Sequence, residues 1–112
     1  MAAQYDLIFI QGATFSVRLR ALSEAGVPID LRDWTLSGLA RFTYSDRNIL
    51  TNLNPTKVSN LESGGYFNLS VPASVTATLP IVEGVYDVEI QSGVYVDKIL
   101  RGYIEVLPEV TY

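Results

Sequence analysis

Residues 15–20 read Phe15-Ser16-Val17-Arg18-Leu19-Arg20, with apolar and polar side chains alternating without a break. Successive side chains of a strand point to opposite faces, so this period of two marks a strand with one face buried and one solvated. The same signature recurs at Leu36, Gly38, Ala40 and Phe42, at Phe67, Leu69 and Val71, and at Tyr86, Val88 and Ile90. Gly38 and Ala40 are small, which implies a bulky residue packed opposite them. Upstream, Tyr5 to Gln11 (YDLIFIQ) reads as a strand with apolar residues on both faces, ending at Gly12.

Between these segments lie turns: Ser23 to Pro28, Ser45 to Asn48, Asn54 with Pro55, and Glu62 to Gly65. Ile49 to Leu53 and Thr56 to Leu61 are read as short pairing segments, and Ile29 to Trp34 as an irregular crossing. Pro72 to Pro80 breaks the alternation, and Val75 and Leu79 share a helical face at i, i+4, with Ser74 as a candidate cap. A hairpin turning at Ser92 and Gly93 leads to a last strand from Val94 to Leu107. With Gln91 opposite Val94, Asp87 faces Lys98, and the inward set Leu100, Gly102, Ile104 and Val106 then requires a bulge near Leu100 or Gly102.

About seven antiparallel strands with one short helical turn near residues 73–79 describe an all-β, immunoglobulin-like sandwich, a single domain over residues 1–112. The expected core is Phe15, Val17, Leu19, Leu36, Phe42, Phe67, Leu69, Tyr86, Val88, Ile90, Leu100 and Ile104. Hydrophobic residues make up 48% of the chain but charged ones only 18%, against about 25% in an average soluble domain. The surface is therefore expected to meet partners.

The chain has neither cysteine nor histidine, which removes disulfides, thiolate chemistry, Cys or His metal sites and the commonest general base. Asp30 and Asp33, with Asp46 close in sequence, match no calcium motif and are read as turn makers bonding local backbone. Glu83, Asp87 and Glu89 fall along an exposed strand face and are read as solvated charge. No catalytic residue, cofactor or metal ligand is assigned. The net charge is −4 and the arginines are scattered among acids, which argues against nucleic acid. Leu7 to Ile10 is too short for a membrane span or a signal core, so cytoplasmic synthesis without membrane insertion is expected. The remaining clue is aromatic: Tyr5, Trp34, Tyr44, Tyr66, Tyr95, Tyr103 and Tyr112 are numerous and often fall on polar faces. Trp34, Tyr66, Tyr95, Tyr103, Val110 and Tyr112 are the candidate interface residues.

Four segments taken together, YDLIFIQGATFSVRLRAL (5–22), GVPIDLRDWT (26–35), PASVTATLPIVEGVYDVEI (72–90) and ILRGYIEVLPEVTY (99–112), resemble a family of short immunoglobulin-like virion proteins encoded among bacteriophage and prophage tail genes. Gly38 and Ala40 are smaller than that pattern leads one to expect. The resemblance implies a non-enzymatic virion subunit, an adaptor joining tail, baseplate or fibre parts in a symmetric multi-copy assembly with other virion proteins. Two alternatives stand beside it: a head or neck decoration protein, and a carbohydrate-binding or host-surface module stacking sugars on Trp34, Tyr66 or Tyr95. A small enzyme is disfavoured by the missing histidine. The apolar end, Val110 to Tyr112, is expected to dock on a partner.

Overall fold

The alternation at Phe15–Arg20 produces a strand whose odd-numbered side chains are half-buried and whose even-numbered ones are exposed. The computed structural model describes residues 3–44 and 48–108. In chain order the strands are β1 (Ala3–Gln4), β2 (Leu7–Ile10), β3 (Phe15–Arg20), β4 (Thr35–Arg41), β5 (Ile49–Asn52), β6 (Thr56–Lys57), β7 (Tyr66–Val71), β8 (Glu83–Ser92) and β9 (Tyr95–Leu107). A short helix, α1 (Ala73–Thr76), lies between β7 and β8. One sheet runs β1-β9-β8-β4-β5, with β2 also on β9; the other is β3-β7-β6. The seven strands from β3 to β9 are joined antiparallel. This is an immunoglobulin-like β-sandwich.

The N-terminal strands add to it differently. β1 and β2 both run parallel to β9, in one register: Ala3 opposite Leu100, Leu7 opposite Ile104, Ile10 opposite Leu107. At the junction between them, the Tyr5 N–H donates to the Arg101 carbonyl at 3.0 Å, and the Tyr103 N–H donates to Asp6 Oδ1 at 3.0 Å. The Tyr5 carbonyl turns inward and accepts the Tyr86 hydroxyl. That turn passes directly under Gly102, where a Cβ would stand 2.3 Å from the Tyr5 oxygen. Gly102 is thus small to admit the N-terminal strand, not to make a bulge.

The bulge itself lies close by. The register shifts between Val88 and Glu89, so Ile99 is the extra residue, and both Ile99 and Leu100 are buried. Gly93, at a φ of 59°, sits at the hairpin tip, with Ser92 opposite Tyr95 and Gln91 opposite Val96. The expected pairing of Gln91 with Val94 is therefore two residues out of register. Asp87 faces Arg101 rather than Lys98, although its carboxylate still reaches Lys98 diagonally at 2.7 Å. That proximity holds the Lys98 ammonium above its usual range.

Most of the expected core is buried or lines its margin, with Phe15, Val17, Leu19 and Leu36 half-buried against it. Phe42 is the exception, 40% exposed, because β4 ends at Arg41 and its pairing with β5 slips between Ala40 and Arg41. Leu7, Phe9, Leu31, Leu53, Val71 and Val106 are buried in addition. A Cβ on Gly38 would meet Val88 Cγ2 at 3.2 Å and Leu53 Cβ at 3.5 Å, so bulky side chains do pack opposite that glycine.

The helical turn plugs one end. Val75 is half-buried and Leu79 buried, and the plug is tied to the β2–β3 connection by Thr76 Oγ1 donating to the Ala13 carbonyl (2.8 Å) and Gln11 Nε2 donating to the Leu79 carbonyl (2.7 Å). Ser74 does not cap it. Pro72 occupies the N-cap position without a side-chain bond, its φ of −69° suiting the entry to a helix.

Candidate interaction surface

The six interface candidates go to different places. Trp34 is half-buried against the core, and its backbone N–H donates to the Leu31 carbonyl. Tyr66 lies on the outer face of the three-stranded sheet, directly opposite Arg20, whose guanidinium sits 4.7 Å above its ring. Tyr95 is 75% exposed near the tip of the β8–β9 hairpin, and Tyr103 is 61% exposed on the outer face of the six-stranded sheet. Val110 and Tyr112 lie outside the described residues. Tyr66 therefore belongs to the three-stranded sheet, whereas Tyr95 and Trp34 stand at the same end of the six-stranded sheet, where Thr35 pairs with Gln91 and Ser92 with Tyr95.

Among the described residues, exposed apolar side chains occur at the hairpin tip and along β2. At the hairpin tip Val94, in the turn, is 96% exposed, and Tyr95 and Val96, the first residues of β9, are exposed on opposite faces of the hairpin. Along β2, Leu7 and Phe9 face the core while Ile8 and Ile10 face outward, Ile8 at 56% exposure. Ile8 lies beside Tyr103, in a shallow depression that Asp6, Glu83 and Glu105 also line, and Ile10 stands two residues further along the same edge, opposite Leu107. Ile8 and Ile10 were not among the candidates, although YDLIFIQ, apolar on both faces, carried the signal.

The acidic residues sort into distinct environments. The Asp30 carboxylate accepts the Arg32 backbone N–H (3.0 Å) and its guanidinium (2.6 Å), which holds Asp30 below the usual carboxylate range. That is the turn-making role expected of it. Asp87 and Glu89 share Lys98, at 2.7 and 3.9 Å, and Ser37 Oγ donates to Glu89 at 3.3 Å. Glu83 and Glu105 instead stand directly opposite each other across β8 and β9. Among the described residues no group of three His, Cys, Asp or Glu side chains is arranged to hold a metal ion. No helix among them is long and apolar enough to cross a membrane.

Among the described residues Tyr86 is strongly perturbed. Its ring is buried and its hydroxyl donates to the Tyr5 carbonyl, and burial first, then the Asp6 charge, pushes the phenol well above its ordinary range. The unfolded phenol ionises near pH 10, whereas the folded one keeps its proton. Stability that is complete below about pH 10 therefore falls as pH rises beyond it. Tyr86→Phe should cost about 1–2 kcal/mol at neutral pH by leaving a buried carbonyl without its donor. It should also flatten the alkaline decline, as read from urea midpoints at several pH values; an unchanged slope would count against this assignment.

No protein-family model matches the chain, and no characterised protein matches it in sequence. Among solved structures, it is similar to the extracellular fragment, including the stalk region, of novel immune-type receptor 11 from Ictalurus punctatus. Identity is 10% and the TM-score 0.42, over 100% of this chain and 90% of that one. It is also similar to part of a family 123 glycoside hydrolase from Clostridium perfringens, with 10% identity and a TM-score of 0.38, over 97% of this chain but only 23% of the hydrolase.

Proposed function

We propose that the chain is a non-enzymatic structural subunit of a bacteriophage particle, an adaptor that joins tail, baseplate or fibre parts through protein–protein contacts. The observation that carries this reading is the hairpin tip, where Val94 is exposed in the turn and Tyr95 and Val96 are exposed on the paired backbone that follows it. Rigid, solvent-facing apolar and tyrosine side chains of this kind suit the buried centre of a protein interface. The sandwich behind them supplies a stiff mount, and the low charge fraction fits a surface that is covered in use.

Mass spectrometry of purified particles tests the reading directly. The expected result is a fixed ratio of this chain to the major capsid protein, corresponding to a multiple of three or six copies per particle. Absence from purified particles overturns the assignment. A second expectation concerns the tip: Val94→Asp with Tyr95→Asp should leave the melting temperature within about 3 °C, since exposed substitutions rarely exceed half a kcal/mol. Incorporation into particles should nonetheless fall at least tenfold, and unaltered incorporation would remove the tip from the interface.

A further inference from the structure

β2 and β3 are both open edges. Among the described residues β2 bonds only to β9 and β3 only to β7, so each presents a row of backbone donors and acceptors along its other side. The two strands are joined by the four residues 11–14, and the Phe9 and Phe15 rings meet at 4.6 Å across the layers. Both edges therefore lie on the same side of the sandwich, one in each sheet. Exposed edges are ordinarily blunted by lysine, proline or a bulge. β2, Leu7-Ile8-Phe9-Ile10, has none of these.

The two edges carry opposite charge. Beside β2 stand Asp6, Glu83 and Glu105, with no basic residue lining the same depression. Glu83 and Glu105 are direct cross-strand partners and neither has an ion pair among the described residues, an arrangement that is unfavourable while no cation is near. β3 carries Arg18 and Arg20 on its outward face. Arg20 is occupied by the Gly64 carbonyl and the Tyr66 ring, whereas Arg18 has no ion pair among the described residues.

We infer that this side of the sandwich is a two-fold interface with a second copy of the chain, in which β2 of each protomer pairs with β3 of the other. A two-fold axis parallel to the strands brings the six-stranded sheet of one copy edge to edge with the three-stranded sheet of its partner. It does so twice, as a self-complementary interface requires. An added strand places its residues about 10 Å, two strand spacings, from β9. That distance lets the Arg18 guanidinium reach the Glu105 carboxylate while its alkyl stem covers Ile8 and Ile10. Pairing β2 with β2 instead would bring two acidic depressions together and leave both arginine edges open. The inference concerns the chain in solution and stands apart from its place in any particle.

Sedimentation velocity of the purified full chain tests it. At low salt the chain should pass from monomer to dimer between about 1 and 200 µM, a range suited to a small edge-to-edge contact, and should dissociate as salt screens the charges. Arg18→Glu alone and Glu105→Arg alone should each weaken dimerisation at least tenfold, and the two together should restore it. Arg18 and Glu105 are exposed, and unchanged circular dichroism of each variant separates loss of association from loss of fold. A chain that stays monomeric to 200 µM overturns the inference. So does a dimer that is indifferent to Arg18→Glu, which would indicate pairing through β2 alone or through another surface.

Discussion

Gly102→Ala is expected to release the N-terminal strand and to lower stability by about 3–5 kcal/mol, combining overpacking with lost buried hydrogen bonds. The added methyl would stand 2.3 Å from the Tyr5 oxygen, 2.8 Å from its carbonyl carbon and 2.9 Å from Asp6 Oδ1. Two of these three atoms belong to backbone, so no rotamer change relieves the clash, and the strand itself has to move. Moving it deprives the Tyr86 hydroxyl of its acceptor and the Tyr103 N–H of the Asp6 carboxylate. The measurement is urea unfolding together with amide exchange over residues 7–10. A large fall in the midpoint with early loss of protection in that segment is the expected result. An unfolding free energy within about 0.5 kcal/mol of the parent would show that the strand accommodates the methyl.

Phe9→Ala should be comparably damaging, at about 3–5 kcal/mol, because a fully buried aromatic leaves a cavity that its neighbours fill only in part. Phe9 is completely buried, and its ring meets Phe15 at 4.6 Å with the planes tilted by 60°. It is therefore a joint between the sheets, β2 on one side and β3 on the other. Ile8→Ala, one residue away on the outward face, should change stability by no more than about 0.5 kcal/mol. Comparable losses for the two substitutions would place the wrong face of β2 in the core.

That contrast also marks where the sequence stops being informative. β3, β4, β7 and β8 declare themselves because their two faces differ chemically, and alternation alone then assigns the buried side. In Leu7-Ile8-Phe9-Ile10 both faces are apolar, so the pattern identifies a strand without telling Phe9 from Ile8. Nor does alternation carry the direction of a partner, which is why the parallel pairing with β9 emerges only in three dimensions. Phe42 keeps the period of β4 yet is exposed because the strand's pairing slips at Arg41. Leu31 and Leu53 lie outside the strands and are buried by what closes over them.

Surface roles were legible to a similar degree. Tyr95 and Tyr103 fall on polar positions of strands and are exposed, while Trp34, in a segment with no period, is drawn against the core. The bulge was deducible because Lys98 and Leu100 could not both follow one alternation. Its site, one residue before Leu100, depended on a hairpin register set by Gly93 at the tip.

The parallel union of β2 with β9 bears on how the domain carries load. A pull applied through the segment before β1 and the segment after Leu107 acts along the two strands in opposite senses. It strains the bonds joining residues 7–10 to residues 104–107 sideways and all together, whereas an antiparallel hairpin pulled from its open end comes apart one bond at a time. β2 is thus a shear clamp on β9: under tension the sandwich stays whole until the clamp slips as a unit.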